Sequence, residues 1–165
     1  MLKKTLNCIV IEILLLNGFL LCGCSYEKSI QGICVPSIIF SSLQNCKMEN
    51  IDYCKLLDNS LQKDSASLNK FVTLECFDGE AGYCHGTIIV EVIERIGEDF
   101  FIYSTQRQPI NKRKEILSYI DVGIAYRYDN IDPRSTKEVF PKIFYVLNYG
   151  SSSSDHYSKN DGNSD

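Results

Sequence analysis

The sequence predicts an α+β domain, with a disulfide-braced helical N-terminal half packed on an antiparallel sheet of about five strands. Three observations lead there. Between residues 38 and 68 the positions Leu43, Cys46, Met48, Ile51, Cys54, Leu57 and Leu61 recur mostly at steps of three and four, the spacing of one helix face. After Lys70 the periodicity shortens, and β-branched and aromatic residues gather in runs such as Thr87-Ile88-Ile89-Val90-Glu91-Val92-Ile93. Five of the eight cysteines lie between positions 34 and 84, as in a small domain stapled by disulfides.

Lys3 and Lys4 precede an apolar stretch whose uncharged part, residues 13–21, is nine residues long. At 1.5 Å per residue that is roughly 14 Å, about half of a ~30 Å hydrocarbon core. A longer span would have to include Glu12, and a carboxylate in mid-membrane costs about 2.5–3.5 kcal/mol. A cleaved leader therefore fits better than a permanent span. Its exit reads Leu21-Cys22-Gly23-Cys24. Leu at −3, small residues at −2 and −1, and Cys at +1 resemble the lipobox of bacterial lipoproteins. The resemblance covers the first 24 residues and concerns the leader alone. It implies that residues 1–23 are a signal peptide and that the Cys24 thiol receives a diacylglyceryl group. It also implies that the new amino group is acylated, so the protein is held on the bilayer of the bacterial envelope. Ser25 at +2 is not the Asp that retains many such proteins at the inner membrane, which points to the outer one. Each buried CH₂ contributes about 0.8 kcal/mol, so several chains hold where one is marginal. A conventional cut after Ser25, with Gly23 at −3, would instead remove Cys24 and release a soluble protein.

Residues 24–33 read as a polar tether, 34–149 as a single domain and 150–165 as a disordered tail rich in Ser, Asp and Asn. Pro36 turns the chain into the helical region, with a break expected at 50–52 or 58–60. Strands are expected at 71–76, 86–95, 100–105, 116–128 and 139–149. The fourth rests on alternation, with Ile116, Ser118, Ile120, Val122, Ile124, Tyr126 and Tyr128 on one face. Turns are expected at 96–99 and around Asp132-Pro133, a polar loop around Pro109, and an edge position for the last strand because of Pro141.

Cys76 and Cys84 enclose Asp78-Gly79, a turn signal, so the expected disulfide closes a hairpin there and contributes about 2–3 kcal/mol. Cys46 and Cys54, eight apart on a helix, are separated by roughly 12 Å and cannot pair within it. Cys34 is then expected to bond Cys46 or Cys54. With Cys24 acylated, five thiols remain, and one stays over. No C-x2-C pair suggests zinc, and no cofactor or metal site is expected.

The leader carries two lysines and one glutamate, so fifteen basic and twenty acidic residues remain beyond it, a net charge of −5. That balance argues against nucleic acid as a partner. His85 and His156 are the only histidines, and no nucleophile, phosphate loop or G-x-S-x-G supports a catalytic residue. Glu75 and Glu80 are the only carboxylates suited to the acid–base work of a peptidoglycan-acting enzyme. Arg107, Lys112, Arg113 and Lys114 form a basic cluster on an acidic protein and are the candidate partner-binding residues. The abundant tyrosines suit a recognition surface. The expectation is a non-enzymatic, membrane-anchored envelope lipoprotein that binds another envelope protein, as an accessory part of a secretion, pilus or conjugation apparatus. The alternatives are an immunity or exclusion lipoprotein acting against a toxin, phage or plasmid, and a peptidoglycan-acting enzyme.

Overall fold

The computed structural model describes residues 26–47, 50–127 and 134–150. Cys24, the leader, and all of the tail beyond Gly150 lie outside them. Among the described residues the chain forms eight helices and one two-stranded antiparallel sheet, which overturns the expected five-stranded α+β arrangement.

The sheet pairs β1 (Tyr26–Ile30) with β2 (Ile33–Pro36). Gln31 (φ 48°) and Gly32 (φ 83°) make the two-residue turn, both in the left-handed region that a type I′ hairpin requires. Ile33 and Val35 are fully buried while Cys34 between them is exposed, the period-two pattern of a strand with one face on the core. The stretch expected to be a tether thus contributes the strand β1 from Tyr26 onward. The hairpin tip is held from two sides. The Arg95 guanidinium donates to the Gln31 carbonyl, and the Gln31 amide donates to Asp58 Oδ1 at 2.8 Å.

The helical region breaks into α1 (Ser37–Asn45), α2 (Tyr53–Leu61) and α3 (Ser65–Val72). The Asp52 carboxylate accepts from the Lys55 N–H at 3.0 Å and that of Asp64 from the Ser67 N–H at 2.6 Å, so an acidic N-cap opens each of α2 and α3. The break expected at 50–52 is present. Residues 58–60 instead lie inside α2, and the second break follows at 62–64.

All five expected strands are overturned. Residues 71–76 are the end of α3 and a segment without regular secondary structure, and 86–95 lie within α4 (Gly79–Ile96). Residues 100–105 lie in α5 (Glu98–Thr105), 116–127 in α6 (Ile110–Arg127), and 141–149 form α8 (Pro141–Tyr149) after the single turn α7 (Thr136–Val139). The β-branched run belongs to a helix that is buried on most of its circumference, where near-continuous apolarity mimics a core strand. Among its buried residues Ala81, His85, Ile88, Val92 and Ile96 advance by steps of three and four. In α6 the buried residues are Ile116, Leu117, Ile120, Gly123 and Ile124, again a helix stripe, and Ser118 of the supposed strand face is exposed. Gly97 (φ 86°) is a true break and lets α5 follow α4 directly.

The molecule is organised on α4, which packs against α6, α1, α2, α5 and β2. Around it Leu57, Leu68, Phe71, Phe101, Ile116, Ile120, Ile124, Ile143 and Leu147 are almost completely buried. Each such side chain contributes about 1.5–3 kcal/mol by leaving water. At the α4–α6 crossing Gly86 and Gly123 meet backbone to backbone. The Asp121 carboxylate accepts from both the N–H (2.8 Å) and the hydroxyl (2.6 Å) of Thr136 and so ties α7 to α6.

The disulfide is Cys46–Cys76, with Cα atoms 5.9 Å apart. This corrects the expected Cys76–Cys84 closure. No hairpin exists there, because Cys84 sits on the second turn of α4. Cys34 carries a free thiol rather than bonding Cys46, which Cys76 already holds.

Candidate functional site

The inward face of α4 is committed to the core, and its outward stripe, Glu80, Tyr83, Cys84, Thr87 and Glu91, advances by three and four along the opposite side, with the buried Ile88 at its edge. Together with Cys34 and Pro36 of β2 and Tyr126 of α6, that stripe lines an open groove of about 410 Å³. Tyr83 and Tyr126 stack with ring centroids 4.1 Å apart and planes 22° from parallel. They are 38% and 51% exposed, so two aromatic faces stand in water although the core lies one residue away. Desolvation, then the neighbouring Tyr83 hydroxyl, raises the pKa of Tyr126. Glu80 is exposed and Glu91 half-buried, the latter 4.0 Å from Arg95, at the outer limit of an ion pair. No basic residue lines the groove.

Behind the groove, His85 points the other way. It is fully buried in a ring of Tyr53, Phe71, Phe77 and Tyr119, with its Nδ1 2.9 Å from the Tyr53 hydroxyl. Its Nε2 has no hydrogen-bonded partner of normal geometry. Burial lowers the imidazole to about 3, against a smaller upward effect of the Phe71 backbone. Burial likewise pushes Tyr53 well above 10, helped by the nearby thiols of Cys54 and Cys84. A neutral imidazole and a neutral phenol sealed from solvent make a packing element and have no route to a substrate. Successive helix positions differ by about 100°, which is why Cys84 lines the groove and His85 the core.

The basic cluster is divided. Lys112 pairs with Glu75 and, at 3.0 Å, with Glu115. The Arg113 guanidinium donates to the Val146 carbonyl at 2.9 Å, joining α6 to the end of α8. Arg107 and Lys114 remain exposed. Of the two carboxylates suited to cell-wall chemistry, Glu75 faces Lys112, and Glu80 stands on the groove. A second concavity, lined by Lys63, Gly97, Glu98, Asp99, Phe100 and Lys142, mixes both charges. Lys142 binds Asp99 at 3.2 Å, and partial burial raises the Glu98 pKa against the Ile143 N–H that it accepts. Among the described residues no group of three or more His, Cys, Asp or Glu side chains could hold a metal ion.

Sequence reasoning named Cys34, Cys84, Glu80 and Tyr126 separately and missed that they share one site, along with Pro36, Tyr83, Thr87 and Glu91. The signal was the helical spacing of residues 80–91, hidden by reading that stretch as a turn and a strand. Comparison with protein-family models, curated proteins and solved structures finds no match for the chain.

Proposed function

We propose that this chain is a lipid-anchored protein of the bacterial envelope whose helical domain binds another protein through the groove between β2, α4 and Tyr126. One observation carries the reading: two stacked tyrosines stand exposed at an apolar groove, where a buried contact could use them. Aromatic side chains with polar tips are the residues most enriched in protein-binding hot spots. The basic cluster contributes less than its sequence suggests, since Lys112 and Arg113 are already engaged within the molecule. The anchor bears on the site as well. Tyr26 pairs with Pro36, so an acylated Cys24 two residues earlier would hold the groove within about 13 Å of the lipid attachment point. The partner on this reading is a protein that reaches the membrane surface.

The test is a photo-crosslinking amino acid placed at Tyr126, with Lys114 as a control on another surface, in cells carrying the full chain. A discrete protein adduct from position 126 and none from 114 is expected. Labelling of lipid alone, or equal adducts at both positions, would overturn the assignment.

A further inference from the structure

We infer that the groove takes an extended, cationic segment, with Arg or Lys at positions i and i+4 and an apolar side chain at i+2. This rests on the protein-binding reading above and specifies the partner's chemistry. Glu80 and Glu91 stand eleven residues apart on α4, which is close to three full turns, so they lie on the same face separated by roughly 16 Å. They bracket the floor formed by Tyr83, Thr87 and Ile88. A carboxylate therefore stands at each end of an apolar trough whose lining holds no cation, Arg95 at 4.0 Å from Glu91 being outside it. In an extended chain residues i, i+2 and i+4 project to one side over about 13 Å, and the long arms of two arginines cover the remaining distance to both carboxylates. The middle side chain then lies over Ile88, and an arginine passing the stacked tyrosines meets an exposed aromatic face, a favourable setting for a cation.

The charges oppose the other occupants. Two other segments of this chain carry more acid than base: residues 128–133 hold Asp129 and Asp132, and residues 151–165 hold three aspartates against Lys159. Like charges at Glu80 and Glu91 disfavour both. A second copy of the chain is itself acidic, and of its basic cluster only Arg107 and Lys114 stand exposed.

The probe is a fluorescein-labelled octapeptide with arginine at positions 2 and 6, leucine at 4 and serine elsewhere. It is titrated by anisotropy against the full acylated chain in nanodiscs of neutral lipid, with empty nanodiscs as control. Saturable binding is expected, weakened at least about fivefold by Tyr126→Ala. Glu80→Gln combined with Glu91→Gln should weaken it about threefold or more, and raised salt should do the same. Glu80 and Tyr126 are exposed and Glu91 lies half-buried on the outer side of its helix, so the helical circular dichroism should stay unchanged in these variants. The peptide with glutamates in place of arginines should not bind. If the glutamate peptide binds equally and Tyr126→Ala still weakens it, the groove binds protein but the cationic assignment is wrong. Arginine-peptide binding that ignores Tyr126→Ala lies elsewhere and overturns the inference, as does absence of binding. A concentration-dependent dimer abolished by Lys114→Glu with Arg107→Glu would identify a second copy as the occupant and overturn it too. The protein-binding reading fails separately, on the crosslinking result at Tyr126.

Discussion

His85 shows how one side chain ties stability to pH. Its folded pKa lies near 3, below the ordinary value of 6.5, so between those limits the unfolded chain binds a proton that the folded chain refuses. Stability is therefore complete above about pH 6.5 and falls as the pH drops toward 3. The slope approaches 1.4 kcal/mol per unit, and the loss by pH 4.5 is about 2–3 kcal/mol. The exposed caps Asp64 and Glu138 titrate below their usual values, because each accepts hydrogen bonds at a helix start, and so act mainly at lower pH. Urea unfolding at pH 7 and 4.5 should show this loss in the natural protein and much less of it in His85→Gln, which can still accept from Tyr53. Equal losses in both would exclude the buried imidazole as their source. Gly123 makes a different demand at the same scale. A Cβ there would run into the Gly86 carbonyl, a backbone atom that cannot move aside. Gly123→Ala should cost roughly 2–3 kcal/mol in urea unfolding. Gly79→Ala meets open space and should cost only about 1–2 kcal/mol for its left-handed backbone. Equal costs at the two sites would mean that the helices can separate to admit the methyl.

At the scale of elements, the segment between α3 and α4 has no regular hydrogen bonding of its own and depends on what grips it. Cys46 at the end of α1 holds Cys76 covalently, Ser42 donates to the Cys76 carbonyl, and the Tyr119 hydroxyl reaches the Phe77 carbonyl at 3.4 Å. That grip positions the Phe77 ring 4.4 Å from the His85 ring and sets where α4 begins. Closing a loop with a sequence separation of 30 stabilises by about 3–4 kcal/mol in the chain-entropy account. The double variant Cys46→Ser/Cys76→Ser should lose about that much in denaturant unfolding. Peptide mapping without reduction should recover a Cys46–Cys76 link. Recovery of Cys76 joined to Cys84 would mean that α4 does not start at Gly79.

For the whole molecule, the hairpin starts at Tyr26, so a lipid on Cys24 would leave almost no slack between bilayer and domain. Intact mass of the membrane-extracted protein should correspond to a chain starting at Cys24 and carrying three acyl chains, and Cys24→Ala should abolish the acylated form. An unmodified chain starting at Tyr26 would remove the anchor from the account.

Read by itself, the sequence determined the helical region from 38 to 68, the break before α2, the turn at Gly97 and the presence of a disulfide. The helical region, the break and the turn depend on residues close in the chain, apolar steps of three and four and a glycine, and the disulfide on cysteine count and address. Tertiary structure alone decided whether residues 86–95 and 116–127 are strands or helices. A run that is apolar all round satisfies a central helix as well as a core strand, and neighbours distant in sequence choose between them. It likewise decided that Cys46 pairs with Cys76, because that pairing depends on where α1 lies against the segment before α4. The groove belongs to the same class. Cys34, Tyr83 and Tyr126 lie on three elements, and only packing around α4 brings them to one surface.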